Sequence, residues 1–303
     1  MPPPKGTKTN PLEGPADYDM TSDVHSDTYP AIDPTKANFK GKAVFISGAS
    51  RGLGRAMSVS FAKAGASMIA LGARGDTSET QRAVKDAAAA AGKPAPSILP
   101  IKFDVADKDS VGAAASKVRS EFGRVDIVIA NAAVLETGKI TEMDPDAWIR
   151  TFTTNTVGLY LLYRSFIPLM LEGGDKTIVT VSSVGAHLVG PEYSAYQTSK
   201  FTVLRLAEFA CAEYGDQGLL AYSIHPGNIP TDMVGGMEGL APGLKHIFVD
   251  TPQLSADSLV YLTSEKRDWL AGRYINTTWD LPQLMAKEDV IVSGDKLKVR
   301  LVV

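Results

Sequence analysis

Tyr196 and Lys200 stand four residues apart in "YSAYQTSK" (193–200), the spacing that places two side chains on one face of a helix. An ammonium beside a phenol favours the phenolate and lowers the tyrosine pKa from about 10 towards neutrality. Tyr196 is therefore a candidate proton donor to a carbonyl, or acceptor from an alcohol. Tyr193 has the uncharged Gln197 four residues on instead. Such pairs are common on solvated helix faces, so the surrounding elements must decide the matter.

A second chemical feature lies near the start of the folded region. "SGASRGLG" (47–54) joins an apolar run, "KAVFISG" (42–48), to a helical pattern, "RAMSVSFAKAG" (55–65). Its glycines, Gly48, Gly52 and Gly54, allow a tight turn and close approach of backbone to a phosphate. The helix that follows offers free N–H groups and a partial positive charge to a pyrophosphate. The spacing is G-x-x-x-G-x-G, not G-x-G-x-x-G, but the strand before and the helix after favour phosphate binding. Gly48, Ser50, Arg51, Gly52, Leu53 and Gly54 are thus cofactor candidates. "GGMEG" (235–239) reads instead as a flexible segment.

Charge suggests which dinucleotide. An NAD site usually carries Asp or Glu at the end of the second strand, to hold the ribose 2′-OH. Here "LGARGD" puts Gly72 and Ala73 there, with Arg74 next and Arg51 inside the glycine turn. Two guanidiniums suit a 2′-phosphate. NADP(H) is expected over NAD, with Asp76 the residue that would reverse this if its loop reached the ribose.

These sites need a scaffold, and the chain spells one. Strand patterns at 42–48, 67–73, 98–105, 126–132, 176–183, 219–227 and 274–280 alternate with helical ones. That alternation predicts an α/β fold, a doubly wound Rossmann-type domain over 40–280. Residues 1–39, rich in Pro, Asp, Thr and Ser, read as an arm over the surface or partly disordered. In the tail 281–303, period-two alternation around Ser-Gly-Asp predicts a β-hairpin at 289–303 that docks on the protein.

The set Gly48-x-x-x-Gly52-x-Gly54, "NAA" (131–133), Asn155, Ser183 and Tyr196-x-x-x-Lys200 resembles the short-chain dehydrogenase/reductase family over roughly 40–280. The arm and "YINTTWD" (274–280) look like members found in fungal genomes. The resemblance implies a seven-stranded parallel sheet and hydride transfer at C4 of a nicotinamide. It implies catalytic roles for Asn155, Ser183, Tyr196 and Lys200, with Lys200 also on the ribose. It places Asp104 and Val105 at the adenine, Asn131 and Ala132 on the ribose side, and Ile229 and Thr231 at the carboxamide. "NAA" departs from the more usual "NAG". Ser183, thirteen residues before Tyr196, matches the family interval and selects Tyr196 over Tyr193.

Composition narrows the alternatives. The 303 residues are 44% hydrophobic and 21% charged with net charge −3, so a nucleic-acid partner is not expected. The single cysteine, Cys211, reads as a core residue. No apolar leader is visible and "GLYLLYRSFIPLML" (158–171) is too short to span a bilayer, so no membrane association and a cytoplasmic location are expected. His187 and His225 lack clustered partners, so no metal is expected; His225 reads as structural. Substrate contacts are expected from Val184, His187, Tyr193, Met233 and Met237, with Leu240 completing an apolar wall. The function expected is NADP(H)-dependent interconversion of a ketone and a secondary alcohol on an apolar small molecule, plausibly in specialised metabolism. The alternatives are a non-redox dehydration or cyclisation at the same site, or cofactor sensing without turnover. Apolar residues on the helices at 154–172 and 196–214 suggest a homodimer or homotetramer, with Leu162, Phe166, Leu204 and Phe209 as interface candidates.

Overall fold

The computed structural model of the chain describes residues 10–301. Seven parallel strands form one sheet in the order β3-β2-β1-β4-β5-β6-β7. They are β1 (Ala43–Ser47), β2 (Met68–Ala73), β3 (Ser97–Lys102), β4 (Ile127–Ala130), β5 (Thr177–Val181), β6 (Leu220–His225) and β7 (Tyr274–Asn276). The order reverses direction between β1 and β4, and the loops leaving the carboxyl ends of those strands are where such folds bind ligands. Helices cover both faces, which is why the central strands are buried along their whole length and mostly apolar rather than alternating.

The helices are α1 (Gly52–Lys63), α2 (Ser78–Ala90), α3 (Lys108–Phe122), α4 (Pro145–Phe152), α5 (Gly158–Leu171), α6 (Ser194–Tyr214), α7 (Gly236–Gly239), α8 (Pro252–Ser264), α9 (Leu281–Met285) and α10 (Glu288–Ser293). Strand alternation sorts the core into two layers. Val44 and Ile46 face α1 and α8 residues such as Phe61 and Leu259, while Phe45 faces the α3 and α5 side. Phe45 packs edge-on to Phe103 at 5.6 Å and against Phe166 at 4.4 Å between ring centres. Phe166, Leu162 and Leu204 are therefore core residues of their own chain, which corrects their nomination as interface residues. Phe209 alone of the four is exposed, alongside Ile149, Val157, Tyr160 and Phe201 on α4 to α6.

From residue 10 the arm lies across the last elements; its first nine residues fall outside the described range. Val24 bridges Trp279, His25 donates its backbone N–H to Thr278 O at 2.7 Å, and the His25 ring reaches Asp280 at 2.9 Å. Thr28 Oγ1 donates to Asp257 of α8 at 2.6 Å. The tail docks, but not as a hairpin. Glu288 and Asp289 favour a helix start through the helix dipole, and α10 occupies the first half of the expected hairpin. Positive φ at Asp295 (44°) and Leu297 (64°) then breaks any strand pairing. Leu297 nevertheless accepts the Tyr274 N–H at 2.8 Å through its carbonyl, and its side chain and that of Val299 pack on the core. Val302 and Val303 lie outside the described residues. Among the described residues no helix is long and apolar enough to cross a membrane.

Candidate functional site

The glycine turn has the backbone its sequence demanded. Gly48 and Gly52 adopt φ of 72° and 52°, a region side chains disfavour. At Gly54 the constraint is contact: a Cβ would stand 2.2 Å from the carbonyl oxygen of Gly48. Arg55 donates to Ser50 O at 2.8 Å, and Thr80 Oγ1 donates to Ala49 O at 2.8 Å. Two carbonyls of the turn are thereby satisfied on the α2 side. Ser47 ties the turn to β4: its Oγ accepts the N–H groups of Asn131 and Ala132, both at 3.0 Å. Asn131 Nδ2 returns a bond to Ser47 O at 3.0 Å. A dinucleotide fits this turn, because the space a Cβ would fill at Gly54 and Gly48 is what lets the backbone close under a pyrophosphate.

The end of β2 excludes a side-chain acid. A Cβ on Gly72 would lie 2.9 Å from Phe45 Cζ, and Ala73 is buried. Arg74 is exposed beyond it. Asp76 turns the other way: its Oδ1 accepts from Ser78 N at 3.1 Å and Ser78 Oγ at 2.8 Å, and these bonds hold its carboxyl below the usual range. Arg51 crosses to Asp232 at 3.4 Å, both groups largely in solvent. This contact spans a cleft of about 770 Å³ that brings Arg51 and Gly52 opposite Ile229 and Thr231. Asp104 Oδ1 accepts from Ala106 N at 3.0 Å, and Val105 packs against Gly158, where a Cβ would lie 2.9 Å from its Cγ2.

Ser183, Tyr196, Lys200 and Asn155 converge beyond the end of β5. Ser183 Oγ accepts from Gly185 N at 3.0 Å and lies by the Tyr196 ring: a Cβ on Gly185 would stand 3.3 Å from that Oγ and 3.7 Å from Tyr196 Cε1. Lys200 is buried, donates to Val181 O at 2.7 Å, and stands 5.7 Å from the centre of the Tyr196 ring. Burial pushes the lysine down to about 8. Burial also pushes Tyr196 up, with the nearby Ser183 hydroxyl pulling it partly back. The expected lowering of the tyrosine is thus reversed in direction. The ammonium points at a backbone carbonyl, and loss of water around the phenol is the larger effect.

Asn155 sits in a π-type turn, Thr153–Val157, between α4 and α5. Its Oδ1 accepts Val134 N–H, and its Nδ2 donates to Val134 O, both at 2.9 Å. The second Nδ2 proton goes to Ser199 Oγ at 3.0 Å, and Ser199 donates to Tyr196 O at 2.7 Å. Both amide protons are used, and the side chain ties the helix of Tyr196 to the segment at Val134. Ser182 is structural, its Oγ donating to Lys200 O at 2.9 Å.

The expected substrate residues divide. Met233 and Met237 are exposed on the loop after β6, while Leu240 is buried. Tyr193 precedes α6 and lies beside Gly190. Val184 is only 3% exposed and His187 packs edge-on to Tyr274 at 4.5 Å, so these two point away from the open cleft. Burial lowers both His187 and His225, the latter to about 3, leaving neutral rings. Ser47, Arg55, Ser199 and Asp250 were not foreseen. Ser199 adjoins Lys200 in sequence, a signal that existed. Arg55 reaches back only to Ser50, whereas Ser47 and Asp250 declare themselves through partners distant in sequence, Asn131 and Asn228.

Comparison with known proteins agrees with this geometry. The short chain dehydrogenase family profile matches residues 42–238. A short chain dehydrogenase of Monascus ruber, pigC, is 57% identical over the full length of both chains. Another from Monascus purpureus, mpl6, is 48% identical over 95% of this chain and 98% of its own. Among solved structures, levodione reductase superposes with TM-score 0.69 and 25% identity, covering 82% of this chain and all of that one. Carveol dehydrogenase of Mycobacterium avium in complex with NAD gives 0.69 at 23% identity over 79% and 97%, a likeness of fold. The chain belongs to the short-chain dehydrogenase/reductase family, and it is an oxidoreductase using a nicotinamide cofactor.

Proposed function

We propose that the chain is an NADP(H)-dependent enzyme interconverting a ketone and a secondary alcohol on a largely apolar small molecule. The observation that carries this is Ser183 and Tyr196 set together with Lys200 buried behind the ring, at the carboxyl end of β5, two strands along the sheet from the glycine turn that follows β1. When bound, the cofactor supplies or accepts a hydride at C4 of its nicotinamide. Negative charge then builds on the substrate oxygen, and Ser183 Oγ–H stabilises it where it develops. Tyr196 delivers the proton; its elevated pKa in the buried pocket keeps that proton on the oxygen until charge appears. Lys200 binds the ribose hydroxyls and, as an ammonium, restores proton-donating strength to the phenol.

NADP(H) is favoured because Gly72 is walled by Phe45, Asp76 is engaged with Ser78, and Arg74 is exposed to meet a 2′-phosphate. The apolar substrate is supported by exposed Met233 and Met237 on the loop and by exposed Ile140 and Val189 in neighbouring loops. The exposed apolar residues of α4 to α6, from Ile149 to Phe209, support a homodimer, which light scattering would test against a 32.2 kDa monomer. The deciding experiment follows NADPH oxidation against a panel of cyclic and aryl ketones. Turnover that vanishes in Ser183→Ala supports the assignment; turnover unchanged by that substitution removes it.

A further inference from the structure

The strongest unexplained feature is where the arm lies. Gly14 packs directly on Val184, the residue after Ser183: a Cβ there would stand 2.4 Å from Val184 Cγ2. Its φ is not in the left-handed region, so contact rather than backbone freedom requires glycine. The Gly14 N–H is held by Asp17 Oδ2 at 2.6 Å, and Asp17 Oδ1 accepts from Asn276 Nδ2 at 3.0 Å. The Ser183 turn is therefore clamped between the arm and the end of β7.

The arm also reaches the cofactor-side turn. Asp250 Oδ2 accepts the Asn228 N–H at 2.6 Å, inside the segment that ends at Thr231. Gly227, at φ 96°, would place a Cβ 2.8 Å from the same oxygen. The next residue, Thr251, donates its N–H to Ser26 O at 2.9 Å and its hydroxyl to Asp27 at 2.6 Å. Beneath the arm, between Asp17, Tyr18, His225 and Asp250, a cavity of only about 30 Å³ remains. A space of that size holds ordered water but no bulky substrate group.

We propose that residues 10–28 are a working part of the substrate site, forming the wall behind Ser183, with Asp250 as the positioning residue that joins this wall to the turn at 227–231. The inference rests on the carbonyl–alcohol reading of the site and adds what limits the substrate: the arm closes one side, and size is accommodated only towards the exposed Met233 and Met237.

The test is a rescue. In the full chain with NADP⁺ bound, Gly14→Ala should raise amide exchange at 183–188 about tenfold and lower kcat/KM for a bulky ketone by about the same factor. Affinity for NADPH should stay within about twofold, since the glycine turn is remote. Adding Val184→Ala, which removes the clashing methyl groups, should restore both. Unchanged exchange in Gly14→Ala, or no rescue in the pair, overturns the proposal. Asp250→Ala, which strands the Asn228 N–H, should speed exchange at 227–231 and lower kcat more than it raises the ketone KM. Asp250→Asn, which keeps an acceptor, should recover most of the loss. Equal loss in both variants overturns the positioning role. If the parent reduces no ketone, the reductase reading fails, and exchange alone still decides whether the arm grips the Ser183 turn.

Discussion

The two sides of the cleft are held by different means. On the cofactor side, the glycine turn is braced by Ser47, Arg55, Thr80 and Asn131, short polar contacts at the ends of β1 and β4 and the starts of α1 and α2. Each position is dictated by backbone sterics or by an obligatory backbone hydrogen bond. On the substrate side, the loop at 231–250 exposes two methionines and is held at its ends by Asp250 and by the arm, whose partners lie hundreds of residues away in sequence. A rigid half braced through backbone groups and an adaptable half held by side chains and the arm respond differently to substitution. The rigid half fails abruptly, the other by degrees.

The largest effect is expected where the halves meet. Tyr196→Phe should lower kcat by about 10²–10⁴, the usual worth of a positioned acid, with NADPH binding unaltered by fluorescence titration. Tyr193→Phe, on the same helix start, should keep most activity; the opposite ranking would end the assignment. Next comes the rigid half. Gly54→Ala meets a backbone carbonyl that cannot move aside, so it should cost about 1–3 kcal/mol of stability in urea unfolding and abolish NADPH binding. Gly243→Ala, on the adaptable side, has nothing within 4 Å of the new Cβ and should be silent in both assays. Parity between the two would erase the contrast.

Selectivity should show a smaller effect. Loss of a charge-assisted bond to the 2′-phosphate is worth about 1.5–3 kcal/mol, so Arg74→Ala should weaken NADPH about ten- to a hundredfold and leave NADH nearly unchanged. Arg51→Ala should do less, because that guanidinium already has Asp232 across the cleft. Tighter NADH than NADPH binding in the parent would contradict the choice of cofactor.

The smallest effect is a pH dependence of the adaptable half. Burial raises Asp17 and Asp250 from 3.8 to about 6 in the folded chain. The folded state holds these protons more tightly than the unfolded one. Their contribution therefore favours folding below about 4 and is lost as pH rises to about 6. The titratable groups facing them are each other, Glu13, Tyr18 and the neutral His225. Asp250→Asn should thus melt higher relative to the parent at pH 7 than at pH 4. An equal difference at both values would show that the Asp250 carboxyl titrates normally.

What the sequence by itself determined is the part governed by short-range rules. Glycines at the turn, apolar strands at regular spacing, and Tyr196 one helical turn from Lys200 each follow from backbone geometry, and the Rossmann-type sheet follows from their alternation. What the tertiary structure decided depends on which surfaces meet. Leu162, Phe166 and Leu204 are as apolar as an interface residue would be, and only the packing, Leu162 and Phe166 in the layer of Phe45 and Leu204 in the layer of Val44 and Ile46, shows that they face inward. The run 289–303 alternates like a strand and meets the free edge of β7 at Tyr274, yet positive φ at Asp295 and Leu297 prevents a ladder there, and the acidic start at Glu288 tipped its first part into a helix. Tyr196 carries the same lysine the sequence put beside it, but burial, which no spacing reveals, moved its pKa the opposite way. Gly14 and Asp250 carry no local signal at all. Their meaning lies in Val184 and Asn228, which only the folded chain brings within reach, because desolvation and contact are properties of neighbours in space.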